Sequence, residues 1–170
     1  MSIYKYPQTT NSGKLLDNLE VNDAIPTDID EIVSIENSSF DSEAFSRPQF
    51  KYLIAYASGK FLVVRYNGHI VAYISLLKRK DTRHLRIYSI AISPQMRGMG
   101  IGQLLIDKAI EYAVANNLNT ISLEVRTDNI PALALYEKNG FKKSKLLYRY
   151  YGDNINAYYM RKLIIELATP

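Results

Sequence analysis

Apolar residues recur along this chain with two periods, and the switches between them lay out its elements. From Pro26, the residues Ile29, Ile32, Val33 and Ile35 fall on one helical face behind a Thr27 N-cap with Asp30 three positions on, which predicts a short helix to about Asn37. After the loop Ser38 to Phe45, Ser46 and Gln49 form a capping box with Pro48 in the first turn, so a second helix runs from Pro48 to about Ala57. Lys60 to Tyr66 and His69 to Leu77 are β-branched apolar runs on either side of Asn67-Gly68, a strong hairpin signal. Leu85 to Ser93 adds a third strand and completes an antiparallel meander. The period then returns to helical. Ile101, Leu104, Leu105, Ala109, Tyr112 and Ala113 form one stripe of a helix reaching about Asn116, with Asp107, Lys108 and Glu111 facing water. Thr120 to Arg126 alternates strictly, with Ile121, Leu123 and Val125 on one side and Ser122, Glu124 and Arg126 on the other. Strand, helix and strand make a parallel βαβ unit.

The next helix is capped by Asp128 or Asn129, carries Pro131 in its first turn, and stops at Asn139-Gly140-Phe141. Leu146 to Tyr151 and Asn156 to Ile164 then pair as a closing hairpin around residues 152–155. Residues 1–22 are polar and aperiodic, and read as a flexible extension ahead of one folded domain over 23–165.

Between the third strand and the helix from Ile101 lies the most informative segment. Gly98, Gly100 and Gly102 can turn several main-chain N–H groups toward one point, and the helix N-terminus adds unpaired donors and the positive end of its dipole. A pyrophosphate fits such a place. The dinucleotide fingerprint fails, because Leu105 stands where its last glycine is required, and no G-K-[ST] triplet exists for a P-loop.

Composition narrows the chemistry further. With 47% hydrophobic and 22% charged residues in 170, the chain reads as an ordinary globular domain. No apolar run nears the roughly 20 residues of a membrane span, and the first residues carry no signal-peptide core, so a cytoplasmic location and no membrane partner are expected. Cysteine is absent, which removes thiolate metal sites and a cysteine nucleophile. His69 and His84 stand apart from one another and read as surface residues, so no metal is expected. The net charge of +4 suits a polyanionic small molecule or nucleic acid and selects neither. Its densest cluster, Lys78, Arg79, Lys80, Arg83 and Arg86, reads as a solvated loop; no nucleic-acid-binding signature accompanies it.

Gln95-x-x-Gly98-x-Gly100 with Arg97 inside it resembles the acetyl-coenzyme A motif of the GNAT N-acetyltransferase superfamily. Leu123-Glu124-Val125-Arg126, Asn129 and the run Ala134 to Phe141 are similar to the second half of that family's cofactor site. Tyr150-Tyr151 with Ala157 and Met160 looks most like the protein N-terminal acetyltransferase branch, which includes ribosomal-protein alanine acetyltransferases. The likeness spans about Ile25 to Leu163. It implies the α/β (α+β) GNAT fold: a mixed sheet with an antiparallel N-terminal meander, a parallel βαβ cofactor unit, a C-terminal hairpin and helices on both faces.

Residue roles follow from the resemblance. Acetyl-coenzyme A is the implied cofactor, with its pantetheine along Ile90, Ala91 and Ile92 and its pyrophosphate on Arg97, Gly98, Met99, Gly100, Ile101 and Gly102. Asn129 reaches the pantetheine arm, or simply caps its helix. Glu124 is the implied base acting through water, or else a surface glutamate paired with Arg126 or a lysine. Tyr136 is the implied acid for the leaving thiolate, or else a core aromatic. Phe40, Tyr150 and Tyr151 frame the entrance for the acceptor. An α-amine of pKa about 8 asks less of a base than a lysine at about 10.4, which favours a protein N-terminus, a ribosomal protein among the candidates. The alternatives are a lysine side chain or small amine as acceptor, a non-catalytic acyl-coenzyme A-binding module, and a basic nucleic-acid binder. Asp41 departs from the branch, which often places proline after the loop phenylalanine.

Overall fold

In the computed structural model, which describes residues 18–40, 44–151 and 154–164, the hairpin anchors the sheet. Strands β2 (Gly59–Tyr66) and β3 (His69–Lys78) are joined by Asn67 at φ 49° and Gly68 at φ 81°, the pair of positive values a tight two-residue turn demands. β4 (His84–Ile92) pairs antiparallel with β3, completing the expected meander. Helix α3 (Ile101–Ala115) then crosses to β5 (Thr120–Arg126), which lies parallel to β4. Helix α4 (Ile130–Lys138) leads into β6 (Lys142–Leu147) and β7 (Ala157–Leu163), and β7 inserts between β5 and β6. Helices α1 (Ile29–Ser39) and α2 (Arg47–Ala55) lie ahead of β2 in the chain.

Two apolar cores sandwich the sheet. Ile29, Ile32, Phe50, Phe61, Val63 and Tyr73 close the face under α1 and α2. Leu76, Leu85, Leu105, Ile106, Ile121 and Leu123 fill the larger core under α3 and α4. The stripe read from Ile101 to Ala113 accounts for the second core, since Ile101, Leu105, Ala109 and Ala113 are all at most 1% exposed.

Four local readings change. The end of the segment taken as an extension is a strand, β1 (Leu19–Asp23), paired along β2. It is an edge strand with one buried side, so only Leu19 and Val21 carry an apolar signal, too few to reveal a period. The rest of the extension, residues 1–17, lies outside the described residues, as does Asp41. Thr27 does not cap α1: a 3-10 turn over Pro26–Asp28 precedes it, and the Asp28 carboxylate accepts from the Ile25 N–H at 3.0 Å. β6 starts at Lys142, ahead of the expected Leu146, because its exposed lysines hide a strand that a hydrophobic pattern cannot find. It also ends at Leu147, so Tyr148, Tyr150 and Tyr151 belong to the connection before β7. Finally, β4 begins at His84, and Arg86 of the basic cluster is one of its strand residues, not part of a solvated loop.

Candidate active site

β4 and β5 pair over only three rungs, ending at Arg86 opposite Ser122. Beyond them the strands part, and the cause lies in β4. Ser75 pairs with Ser89 and Leu76 with Ile87, so Tyr88 is the extra residue of a β-bulge placed just after the last parallel rung. A bulge bends its strand and sharpens its twist. From Ile87 onward β4 therefore pairs only with β3, and its other edge faces a gap.

The gap is a cavity of about 140 Å³ whose walls come from both faces of the sheet. Glu36, Phe40, Phe45, Tyr88 and Glu124 line it from the side of α1 and α2; Ile87, Ile90, Leu123, Ala132 and Tyr136 line it from the side of α3 and α4. It thus lies within the sheet, lined from both faces. Of the residues named from sequence, Phe40, Ile90, Glu124, Asn129, Tyr136 and Tyr151 border it. Ala91, Ile92 and the glycine turn lie further along the chain, where β4 ends, and Tyr150 approaches through Arg86.

Glu124 keeps 14% of its side chain exposed and is paired with Arg86, whose Nε and Nη2 both lie 3.0 Å from Oε2. The expected partners, Arg126 or a lysine, are otherwise engaged or absent from this contact: Arg126 forks onto Asp128, with Nε and Nη2 each 3.0 Å from a separate oxygen. Tyr136 is 5% exposed, and desolvation, followed by the influence of Tyr151, raises its pKa above the ordinary 10. It is both core and cavity wall. Its position is fixed by the stop at Gly140, where φ is 83°. Phe141 N–H bonds the Tyr136 carbonyl at 3.0 Å, Gly140 N–H bonds that of Glu137 at 3.0 Å, and the Phe141 ring meets the Tyr136 ring edge-on at 5.8 Å.

Asn129 caps α4, accepting from Ala132 N–H at 3.2 Å, while also bordering the cavity. At the far end, Gly98 has φ 74° and Gly100 φ 85°, and among the described residues no main-chain carbonyl takes the amides from Gly98 to Gln103. Arg97 Nε reaches back to the Ile92 carbonyl at 3.2 Å, tying the turn to β4. Gly102 has a different role. A Cβ there would sit 2.9 Å from Leu135 Cδ2, so its bareness lets α3 pack against α4. Gln103 and Asn139 clasp the same junction with reciprocal amide bonds of 2.8 and 3.0 Å. These free amides and the unpaired edge of β4 fit a diphosphate carrying an extended amide arm.

Sequence reasoning missed three contributors. Arg86 was hidden in a basic cluster, and the Tyr88 bulge leaves no mark in a hydrophobic pattern. Glu36 did leave one: it follows Ile29, Ile32 and Val33 at helical spacing, a carboxylate on an apolar stripe. It is 1% exposed, receives the Tyr73 hydroxyl and, at 2.8 Å, the Phe45 N–H, and its pKa is raised by desolvation. Among the described residues no group of three or more His, Asp or Glu could hold a metal. No described helix is long and apolar enough to cross a membrane.

Residues 29–141 match the model of the Acetyltransferase (GNAT) family, a span that holds α1, the bulged strand, the glycine turn and α4. The chain belongs to the GNAT acetyltransferase family. It is an acetyl-transferring enzyme of that family, whose members use acetyl-coenzyme A. It is 33% identical over 145 residues to an N-alpha-acetyltransferase of Sulfurisphaera tokodaii, covering 79% of this chain and 86% of that one. The crystal structure of Ard1 from Thermoplasma volcanium superposes with a TM-score of 0.82 at 30% identity, over 88% of this chain and 99% of that chain. The ribosomal-protein-S18-alanine N-acetyltransferase of Escherichia coli shares the fold, with a TM-score of 0.78 at 22% identity over 89% and 99% of the two chains.

Proposed function

We propose that this enzyme moves an acetyl group from acetyl-coenzyme A to the N-terminal α-amine of a protein or peptide by direct attack. The observation that carries the reading is the cavity in the sheet, with a carboxylate lining it from one face and a buried phenol from the other. Bound acetyl-coenzyme A supplies a thioester, an acyl donor activated toward amines.

The chain's own residues fit the remaining tasks. The unpaired amides from Gly98 to Gln103, with Arg97, would hold the diphosphate, and the open edge at Ile90, Ala91 and Ile92 would hold the amide arm. Phe40 and Tyr151 border the cavity where an acceptor would enter, with Tyr150 beside them through Arg86. Glu124 accepts the amine's proton, through water, on Oε1, the oxygen that takes neither Arg86 contact. Tyr136 keeps its proton across the physiological range because burial disfavours the phenolate, and can hydrogen-bond sulfur as charge develops there. Relatives named for N-alpha-acetylation support the α-amine over a lysine, and a ribosomal protein is among the candidate acceptors.

Steady-state rates with paired peptides test the reading, one with a free N-terminus and one with the same sequence blocked. Turnover on the free peptide alone is expected. Equal rates on a blocked peptide that carries an internal lysine would replace the α-amine with a side-chain acceptor.

A further inference from the structure

The guanidinium of Arg86 occupies a place that the roles of Glu124 and Tyr136 leave unexplained. It stands on the last rung that β4 shares with β5, two residues before the bulged Tyr88. From there it reaches three groups at once. Nε donates to Oε2 of Glu124 at 3.0 Å while Nη2 lies 3.0 Å from the same oxygen as its ion-pair partner, Nη2 donates to the Tyr150 hydroxyl at 3.3 Å, and Cζ sits 5.1 Å from the centre of the Tyr88 ring. These belong to β5, to the β6–β7 connection and to β4 itself. A planar fork with fixed donor directions can orient a carboxylate in this way, whereas an ammonium cannot.

We propose that Arg86 is a positioning residue for acetyl transfer: its guanidinium fixes the Glu124 carboxylate through Oε2, so that Oε1 is the oxygen presented for the acceptor's proton, and couples that orientation to Tyr150 at the entrance. The inference rests on the reading of Glu124 as base. Burial opposes the charge on Arg86, but Glu124, with Tyr150 and Tyr88, outweighs it and raises the arginine's pKa, so the fork stays cationic at any working pH. The neighbouring charges do not compete for it. His84, on the same strand, is bonded to Ser122 at 2.8 Å, and desolvation, followed by Arg161 and Arg79, lowers its pKa. An unheld glutamate samples several rotamers, and misplacement of a catalytic group by about 1 Å costs on the order of 10²-fold in rate.

The test is a cycle of R86A, R86K, E124Q and the double variant R86A/E124Q in the full chain, with melting temperatures to verify folding. R86A is expected to lower kcat about 10²-fold with little change in the KM for acetyl-coenzyme A. R86K should recover part of that loss, and R86A should cost nothing further in the E124Q background. A second readout needs no turnover. In the protein without cofactor, the Arg86 Nε–H resonance, assigned by its loss in R86K, should be sharp in the wild type and broadened in E124Q. If E124Q keeps wild-type kcat, the base assignment itself fails. If E124Q is inactive while R86A turns over normally, or the two losses add in the double variant, the positioning role of Arg86 is overturned and the base assignment stands.

Discussion

Glu124 and Tyr136 meet at one cavity from opposite faces of the sheet, and their surroundings suit them to the opposite tasks proposed for them. The carboxylate is mostly buried, with 14% of its side chain exposed, and tied to a cation; the phenol is desolvated and keeps its proton. Glu124→Gln and Tyr136→Phe should each lower kcat by about 10²–10³-fold while leaving calorimetric binding of acetyl-coenzyme A within about twofold. Loss of binding instead of turnover would reassign them to the cofactor site. Glu36 is a second carboxylate at this cavity with a different role, saturated by Tyr73 and by Phe45 N–H. Desolvation lifts its pKa above the ordinary 4.5, so the folded chain holds this proton more tightly than the unfolded chain does. Its stabilisation is complete below about pH 4.5 and is lost as pH rises through the folded value. Urea midpoints of the wild type should therefore fall relative to Glu36→Gln as pH rises from 4 to 8. Parallel curves would mean that Glu36 folds without a perturbed proton. The places of Glu124 and Tyr136 at the cavity were legible in the sequence because both sit within a linear motif, whereas Arg86 joins it only through pairing across the sheet, and Glu36, though a carboxylate on an apolar helical stripe, only through the packing of α1 onto Tyr73 of β3.

At the level of elements, the site is a consequence of where pairing stops. The Tyr88 bulge parts β4 from β5, Gly100 starts α3 in a left-handed conformation, and Gly140 ends α4 so that Tyr136 is locked under Phe141. The hairpin at Asn67-Gly68, the glycine turn and the stop at Gly140 were all readable, since each demands residues that few others can replace. β1 and β6 were misjudged for the converse reason: edge strands bury little, and β6 carries lysines that discourage further pairing. Gly102→Ala provides a check on how the helices dock. Its methyl would press on the end of the Leu135 side chain, which has to turn aside, at a net cost of under about 1 kcal/mol because alanine favours the helix. Gly98→Ala meets no neighbour within 4 Å, yet requires φ 74°, so its penalty is backbone strain of roughly 1–2 kcal/mol, the larger of the two. Denaturant midpoints that rank the two in the reverse order would contradict this account of the turn.

Across the whole molecule, two cores hold a sheet that is split at its centre, and the split leaves a cavity lined from both sides. Separating two reactants in this way suits a large anionic donor and a cationic amine that need to meet only at the reacting atoms. The mild net charge of +4 favours the donor, and the basic residues from Lys78 to Arg83 are one reason to compare nucleic acid as a ligand. Replacing Lys80 and Arg83 by glutamine should leave peptide acetylation unchanged, while steep salt-dependent nucleic-acid binding centred on Lys78 to Arg86 would revive the nucleic-acid-binding alternative. The decisive measurement is a single-turnover reaction with labelled acetyl-coenzyme A and a peptide bearing both a free α-amine and an internal lysine, with the label located by fragment-ion mass spectrometry. The account predicts label on the N-terminal residue, lost in Glu124→Gln; label on the lysine with the α-amine untouched would contradict it.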